Sequence, residues 1–118
     1  MIFSAAMAQN HSANQNCDLR EYSAQKQNLL NIEKDHSGQN QLLLVNFTFT
    51  VKQCIDREQK FTKATASLAK KVIILSAKQD IRDLAMQYGS QSRYTLQNKN
   101  MITSNVRFYL NRLEQLSP

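Results

Sequence analysis

The sequence predicts an all-α fold, and three observations support this prediction. The chain has 118 residues but only two glycines and one proline, and the proline is the last residue. A β-rich domain needs more turn residues than these. Residues 39–88 contain neither Gly nor Pro. Within them, the apolar and the basic side chains fall on opposite sides of a helix wound at about 100° per residue. We expect a helical hairpin or a three-helix bundle with one long central helix.

The first two helices have recognisable start and stop signals. Asp18-Leu-Arg-Glu21 has the pattern of a capping box, so a short helix is expected over residues 18–34. Asp35-His-Ser-Gly38 supplies a stop, because glycine adopts the left-handed conformation that ends many helices. A long helix is then expected over about residues 40–88, with a break near residues 66–71.

The last helix is expected over residues 100–116, with Thr103 or Ser104 as its cap. A polar connection, GSQSRYTLQNKN, precedes it. The apolar residues of this helix keep a 4,3,4,3 spacing: Ile102, Val106, Tyr109, Leu113 and Leu116. Taken with the length of the chain, the pattern predicts a flexible polar arm over residues 1–17 and a single helical domain over residues 18–118.

Residues 42–51, LLLVNFTFTV, also fit a different fold. Every second residue from Leu43 to Val51 is apolar, and Phe, Thr and Val favour strands. Residues 72–96 resemble the β4–α4–β5 stretch of response-regulator receiver domains, with Ser76 at the hydroxyl position, although the acidic cluster and the phosphoacceptor Asp are missing. That resemblance implies a small α+β domain with strands near residues 42–51 and 71–76. The separated apolar and basic faces favour the helix.

Charge and cysteine content bear on location. The net charge is +6, and residues 36–118 carry twelve basic and five acidic side chains. Cys17 and Cys54 could form one disulfide, but two free thiols in a reducing compartment are the simpler interpretation. The start, MIFSAAMAQN, ends like a secretory signal but has no Lys or Arg before its short apolar run. We expect an intracellular, cytoplasmic protein without a membrane span.

Motifs for catalysis are scarce in this sequence. It contains no Gly-rich phosphate loop, no Gly-x-Ser-x-Gly and no metal-ligand spacing. Asp80 and Asp83 share a helix face, but Lys78 and Arg82 beside them indicate a solvated network of charges. We therefore expect a protein that is not an enzyme and that holds no cofactor and no metal.

A protein–protein interface is the leading functional expectation. Three helices of unequal length cannot cover both sides of the longest one, so its exposed apolar side chains should seek another chain. That chain would be a second copy, packed as in a coiled coil, or a subunit of a larger assembly. The interface residues expected from the apolar pattern are Val45, Phe47, Phe49, Val51, Phe61 and Leu68.

Nucleic-acid binding is the alternative function. A basic helix face can neutralise phosphates without reading sequence. Ile81-Arg-Asp-Leu-Ala85 and residues 103–114 together resemble the two helices of a winged helix–turn–helix. This resemblance implies that the recognition helix is lined by Ser104, Asn105, Arg107 and Arg112. The expected nucleic-acid contacts are Lys60, Lys63, Lys70, Lys71, Lys78, Arg107 and Arg112.

Overall fold

The computed structural model describes residues 17–32, 38–89 and 93–118. Within these ranges the chain forms helices and no strand, which confirms the all-α prediction. The helices are α1 (Arg20–Ser23), α2 (Lys26–Asn31), α3 (Gly38–Asp56), α4 (Lys63–Tyr88) and α5 (Arg93–Leu116).

The bundle is built on an antiparallel hairpin of α4 and α5. Lys63, in the first turn of α4, and Ser117, just beyond α5, line one groove. Gln87 and Asn98 line another groove at the opposite end of the two helices. The third long helix, α3, packs against both α4 and α5, and α2 packs against α3 and α4.

The core lies where these helices meet. Phe47 and Val51 of α3 and Val72 of α4 are fully buried, and each such side chain stabilises the fold by roughly 1.5–3 kcal/mol. Tyr22 covers Phe47 from the N-terminal side, with ring centroids 4.1 Å apart. The buried apolar residues are Cys17, Leu19, Leu29, Ile32, Leu44, Phe47, Val51, Ile55, Phe61, Leu68, Ala69, Val72, Ile73 and Leu113.

Residues 42–51 are helical, so the strand alternative is wrong. Leu44, Phe47 and Val51 are buried at the spacing of one helix face. The threonines that favour a strand are accommodated by hydrogen bonds within the helix. Thr48 Oγ1 donates to the Leu44 carbonyl at 2.7 Å, and Thr50 Oγ1 donates to the Asn46 carbonyl at 3.0 Å. Residues 71–76 are also helical, inside α4, so neither strand implied by the receiver-domain resemblance forms.

The long central helix is broken, but earlier than expected. α3 ends at Asp56 and α4 begins at Lys63, so residues 66–71 are continuous helix. Glu58 has a φ of 55°, the left-handed conformation that glycine usually supplies at helix ends. Thr62 then caps α4, because its Oγ1 accepts a hydrogen bond from the Thr65 backbone N–H at 3.2 Å.

The outer helices also differ from the prediction in their bounds. Residues 18–34 form two short helices rather than one, and residues 33–34 lie outside the described residues. Asp18 accepts a hydrogen bond from the Arg20 backbone N–H at 3.0 Å, but α1 has no side-chain cap. Gly38 begins α3 instead of ending the helix before it. The predicted N-terminal arm, apart from Cys17, lies outside the described residues.

The last helix begins seven residues earlier than expected, at Arg93. Thr95 Oγ1 donates a hydrogen bond to the Gly89 carbonyl at 2.8 Å and so links α5 to the end of α4. Thr103 and Ser104 lie inside the helix, where Thr103 Oγ1 donates to the Lys99 carbonyl at 2.9 Å. Neither of them caps it.

A disulfide joins Cys17 to Cys54, so the expectation of two free thiols is wrong. It closes a sequence separation of 37 residues and attaches the segment before α1 to the last turns of α3. Sequence spacing gave no sign of this proximity, because two cysteines far apart in a chain can be near or distant in the fold.

Candidate interaction surfaces

The six residues expected at a protein interface fall into two groups. Four of them are buried in the chain's own core: Phe47, Val51, Phe61 and Leu68. The other two are on the outside, with Val45 61% exposed and Phe49 66% exposed. An interface on this structure can therefore use Val45 and Phe49 directly, whereas the buried four contribute by holding α3 and α4 in place.

Three exposed apolar residues form one row on α3. Leu42 is 60% exposed and precedes Val45 and Phe49 by three and seven residues. At about 100° per residue, the three side chains lie within about 60° of one another on the helix. This row lies on the side of α3 away from Phe47 and Val51.

A second exposed row lies on α5. Met101 and Phe108 are 57% and 56% exposed, and their separation of one heptad places them on the same side of the helix. Phe108 packs edge-on against Tyr109, with ring centroids 5.3 Å apart. Tyr109 is half-buried and belongs to the edge of the core.

Parts of the two rows border the same helix–helix junction. At the other ends of the rows, Leu42 lines a groove beside α2, and Met101 lines the α4–α5 groove with Asp80 and Asp83. Lys52 of α3 places its Nζ 5.2 Å from the centroid of the Tyr109 ring, within range of a cation–π interaction. Lys52 follows Phe49 by three residues, and Asn105, which lies between Met101 and Phe108 in sequence, shares a cavity with Lys52. We refer to Leu42, Val45, Phe49, Met101 and Phe108 together as the α3–α5 face.

The cavity at this junction is small and polar. Its volume is about 50 Å³, which suits a few water molecules and is far below the size of a substrate pocket. Its polar lining comes from Lys52, Ser76, Asp80, Asn105 and Tyr109.

Two groups in the cavity wall titrate abnormally. Partial burial raises the pKa of the Asp80 carboxyl; the positive charge of Lys52 opposes this rise and the negative charge of Asp83 adds to it. Burial also raises the pKa of the Tyr109 hydroxyl, as do the negative charge and the hydrogen bond of Asp56. Ser76 lines the same cavity, so a hydroxyl side chain is near both groups. The volume of the cavity leaves no room for a substrate beside them.

Four of the expected nucleic-acid contacts share the outer side of α4. Lys63 and Lys70 line a groove between α4 and α5 with a volume of about 540 Å³, whose opposite wall includes Leu110 and Glu114. Lys71 and Lys78 continue this side of the helix. We refer to Lys63, Lys70, Lys71 and Lys78 as the α4 basic face. Asp80 and Asp83 point away from it, roughly 80° or more around the helix.

The remaining expected contacts are more scattered. Arg107 is exposed one heptad before Glu114, so it extends the α5 wall of the same groove. Lys60 is exposed in the connection between α3 and α4. Arg112 forms an ion pair with Glu58, which has the left-handed conformation after α3.

A helix–turn–helix does not form at the C-terminal end. Residues 81–85 and 103–114 lie inside α4 and α5, which pack side by side as a long hairpin. Recognition requires two short helices that cross at about 90–120°. Ser104 is exposed on α5, whereas Asn105 borders the junction with α3, so the two do not line one recognition surface.

Within residues 17–32, 38–89 and 93–118, no group of three or more His, Cys, Asp or Glu side chains is placed to hold a metal ion. None of the helices described combines the length and the hydropathy that crossing a bilayer requires.

Comparison with protein-family models, with curated proteins and with solved structures finds no match to this chain.

Proposed function

We propose that this protein is a non-enzymatic helical interaction module that binds another protein chain through the α3–α5 face. The observation that carries the proposal is the exposure of Val45 and Phe49, which are 61% and 66% accessible although they belong to the most apolar segment of the chain. Isolated exposed apolar residues are common on proteins, but a contiguous patch of large ones marks interaction sites.

The surroundings of the face suit a protein partner. Aromatic residues and methionine are enriched at interfaces, and the face has two phenylalanines and one methionine. Its polar neighbours include the uncharged Asn105 and the charged Lys52, Asp80 and Asp83. A partner that covers the face therefore needs groups of opposite charge at its edge. The helices that present these side chains are anchored by a continuous core, so binding orders little backbone.

A photo-crosslinking amino acid at position 49 tests this proposal in cells that express the protein natively. We expect adducts with protein at position 49 and none at position 67, because Ser67 is exposed in the groove on the other side of the α4–α5 hairpin. Phe49→Ser should remove the adduct formed by the same amino acid at position 45. Equal adducts at positions 49 and 67 would mean that the face is not a specific site.

Nucleic-acid binding is the second candidate, and the α4 basic face supports it. Lys63 and Lys70 lie about 10 Å apart along the helix, and Arg107 faces them across the hairpin. A protein with four phosphate contacts should lose roughly 10²-fold in affinity for a duplex between 50 and 200 mM salt. The test is fluorescence anisotropy with Lys70→Gln beside Lys26→Gln, a control that removes the same charge from α2. Only Lys70→Gln should lower the slope of affinity against salt, by about one unit.

The disulfide favours a protein partner over nucleic acid. Disulfides persist in oxidising compartments and are rare in the cytosol and nucleus, where most nucleic acid is found. The Cys17–Cys54 bond therefore weighs against the cytoplasmic location expected from the sequence. We propose an oxidising compartment, and a non-reducing gel of protein trapped with a thiol-blocking reagent in its native cells tests this.

A further inference from the structure

We infer that the partner on the α3–α5 face is a second copy of this chain, arranged about a two-fold axis; this rests on the proposed function above. Three observations carry the inference: the size of the face, the position of the positive charge, and the chemistry of the polar residues within the face. Each is a property that an isologous interface needs, because the same surface must meet itself.

The size of the face suits a small dimer. Its five side chains are each more than half exposed, and together they present roughly 500 Å² of apolar area, since a phenylalanine buries about 150–250 Å² when fully covered and the aliphatic side chains bury less. With their polar neighbours, two copies would bury about 1,200–1,600 Å², which is the range of standard stable interfaces.

The position of the positive charge permits two copies to approach. A net charge of +6 on each chain would oppose association if the charge lay at the contact. Lys63 and Lys70 instead line the outer groove of the α4–α5 hairpin, whereas the face lies at the α3–α5 junction. In a dimer through the face, the two basic surfaces are therefore on the far sides, separated by more than the Debye length of about 8 Å.

The polar residues within the face are self-complementary. Asn105 carries both a donor and an acceptor, so it can hydrogen-bond to its own copy across a two-fold axis. A carboxylate or an ammonium group at the axis would meet a like charge. The charged residues around the face have both signs, with Lys52 over the Tyr109 ring and Asp80 and Asp83 beside Met101, so charges of opposite sign can meet across the axis.

An introduced cysteine gives a direct test, because both native cysteines are already in a disulfide. Asn105→Cys lies within the face, and Ser67→Cys is the matched control in the groove on the other side of the hairpin. Under mild oxidation we expect Asn105→Cys to form a covalent dimer at least tenfold faster than Ser67→Cys. Phe49→Ser in the same chain should abolish the difference.

Light scattering of the purified wild-type chain supplies the second measurement. A dimer with a Kd of about 10 μM raises the apparent mass from near that of the monomer to near twice that value as the concentration rises from about 1 to 100 μM. Phe49→Ser restores the monomer mass, while Leu96→Ser does not. Leu96 is a suitable control because it is 60% exposed and lies near the turn of the hairpin.

The outcomes separate this inference from the proposed function. If the chain is a monomer at all concentrations and the two cysteine variants oxidise at equal rates, the inference that the partner is a second copy is wrong. If position 49 still crosslinks to a protein of different mass in cells, the proposed function stands with another partner. If position 49 crosslinks to nothing and the chain is monomeric, both fail.

Discussion

Phe47 and Phe49 are two positions apart on the same helix, yet they have opposite environments. Phe47 is fully buried under the ring of Tyr22, whereas Phe49 is 66% exposed on the α3–α5 face. The residue type is identical, so composition and local propensity do not distinguish them. What distinguishes them is their direction around α3. The two side chains are separated by about 200° around the helix axis, so Phe47 is directed at the core and Phe49 at solvent. The inner side of α3 makes the fold, and the outer side is available for a partner.

The largest effect that tests this division is expected on α4. Leu68 is 6% exposed on the inner side of the helix. Leu68→Asp places an unpaired charge in the core and should lower the free energy of unfolding by more than about 4 kcal/mol, enough to unfold the protein. Met86→Asp, on an exposed position of the same helix, should change it by less than about 0.5 kcal/mol. Urea denaturation followed by circular dichroism measures both, and a folded Leu68→Asp protein would contradict the assignment of this side to the core.

The matched pair on α3 should give the next largest difference. Phe47→Ala leaves a cavity in the core and should cost about 3–5 kcal/mol of unfolding free energy. Phe49→Ala should cost less than about 0.5 kcal/mol in the monomer but weaken association. Thermal melts at low concentration measure the stability and light scattering at high concentration measures the association. If both variants melt alike, the inner and outer sides of α3 are not distinct.

The disulfide tests how strongly the N-terminal segment holds the buried side of α3, because it attaches Cys17 beside that side of the helix. Replacing both cysteines by serine should lower the free energy of unfolding by roughly 2–4 kcal/mol, since the bond closes a long loop in the unfolded chain. Wild-type protein in reductant should match the double variant in a urea titration. A titration that reductant leaves unchanged would mean that the bond contributes little.

The smallest expected effect concerns the cavity behind the face. The folded-state pKa of Asp80 is raised by burial, so the folded protein binds the proton more tightly than the unfolded chain. Stability from this group is therefore greatest below the unfolded pKa of 3.8 and is lost as pH rises through the folded pKa. Asp80→Asn should remove this part of the pH dependence, and Asp83→Asn is the control. Melting temperatures at a series of pH values measure it, and parallel curves for wild type and Asp80→Asn would contradict the burial.

Much of the helical architecture follows from the sequence. The apolar period of residues 102–116 places Leu113 in the core and Val106 and Tyr109 at its edge, as the structure has them. The period of residues 42–55 likewise identifies the buried side of α3. The expectation that the central helix keeps exposed apolar side chains agrees with the exposure of Val45 and Phe49, although four of the six residues expected at an interface are buried. These successes share a cause: periodicity is a local property, and it survives in any arrangement of packed helices.

The errors have a different cause, because they depend on contacts between distant residues or on rare backbone conformations. The chain breaks after α3 at Glu58, which has a positive φ although it is not a glycine. An ion pair with Arg112 joins Glu58 to α5. The early start of α5 is accompanied by the hydrogen bond that Thr95 Oγ1 donates to the Gly89 carbonyl. The disulfide needs two residues that only the fold brings within 5.9 Å, Cα to Cα. Sequence spacing contains none of this information.

The Cys17–Cys54 bond has one more consequence, for the behaviour of nicked protein. Because the bond joins the segment before α1 to the end of α3, residues 17–54 form a covalent ring. A protease that cuts the chain once between Asp18 and Gln53 opens the ring without separating the two fragments. Such a molecule keeps its full mass in a non-reducing denaturing gel and falls into two bands only when a thiol is added. A single cut after Cys54 lies outside the ring, so its two fragments separate in the denaturing gel without a thiol. The gel therefore distinguishes a cut inside the ring from a cut after it.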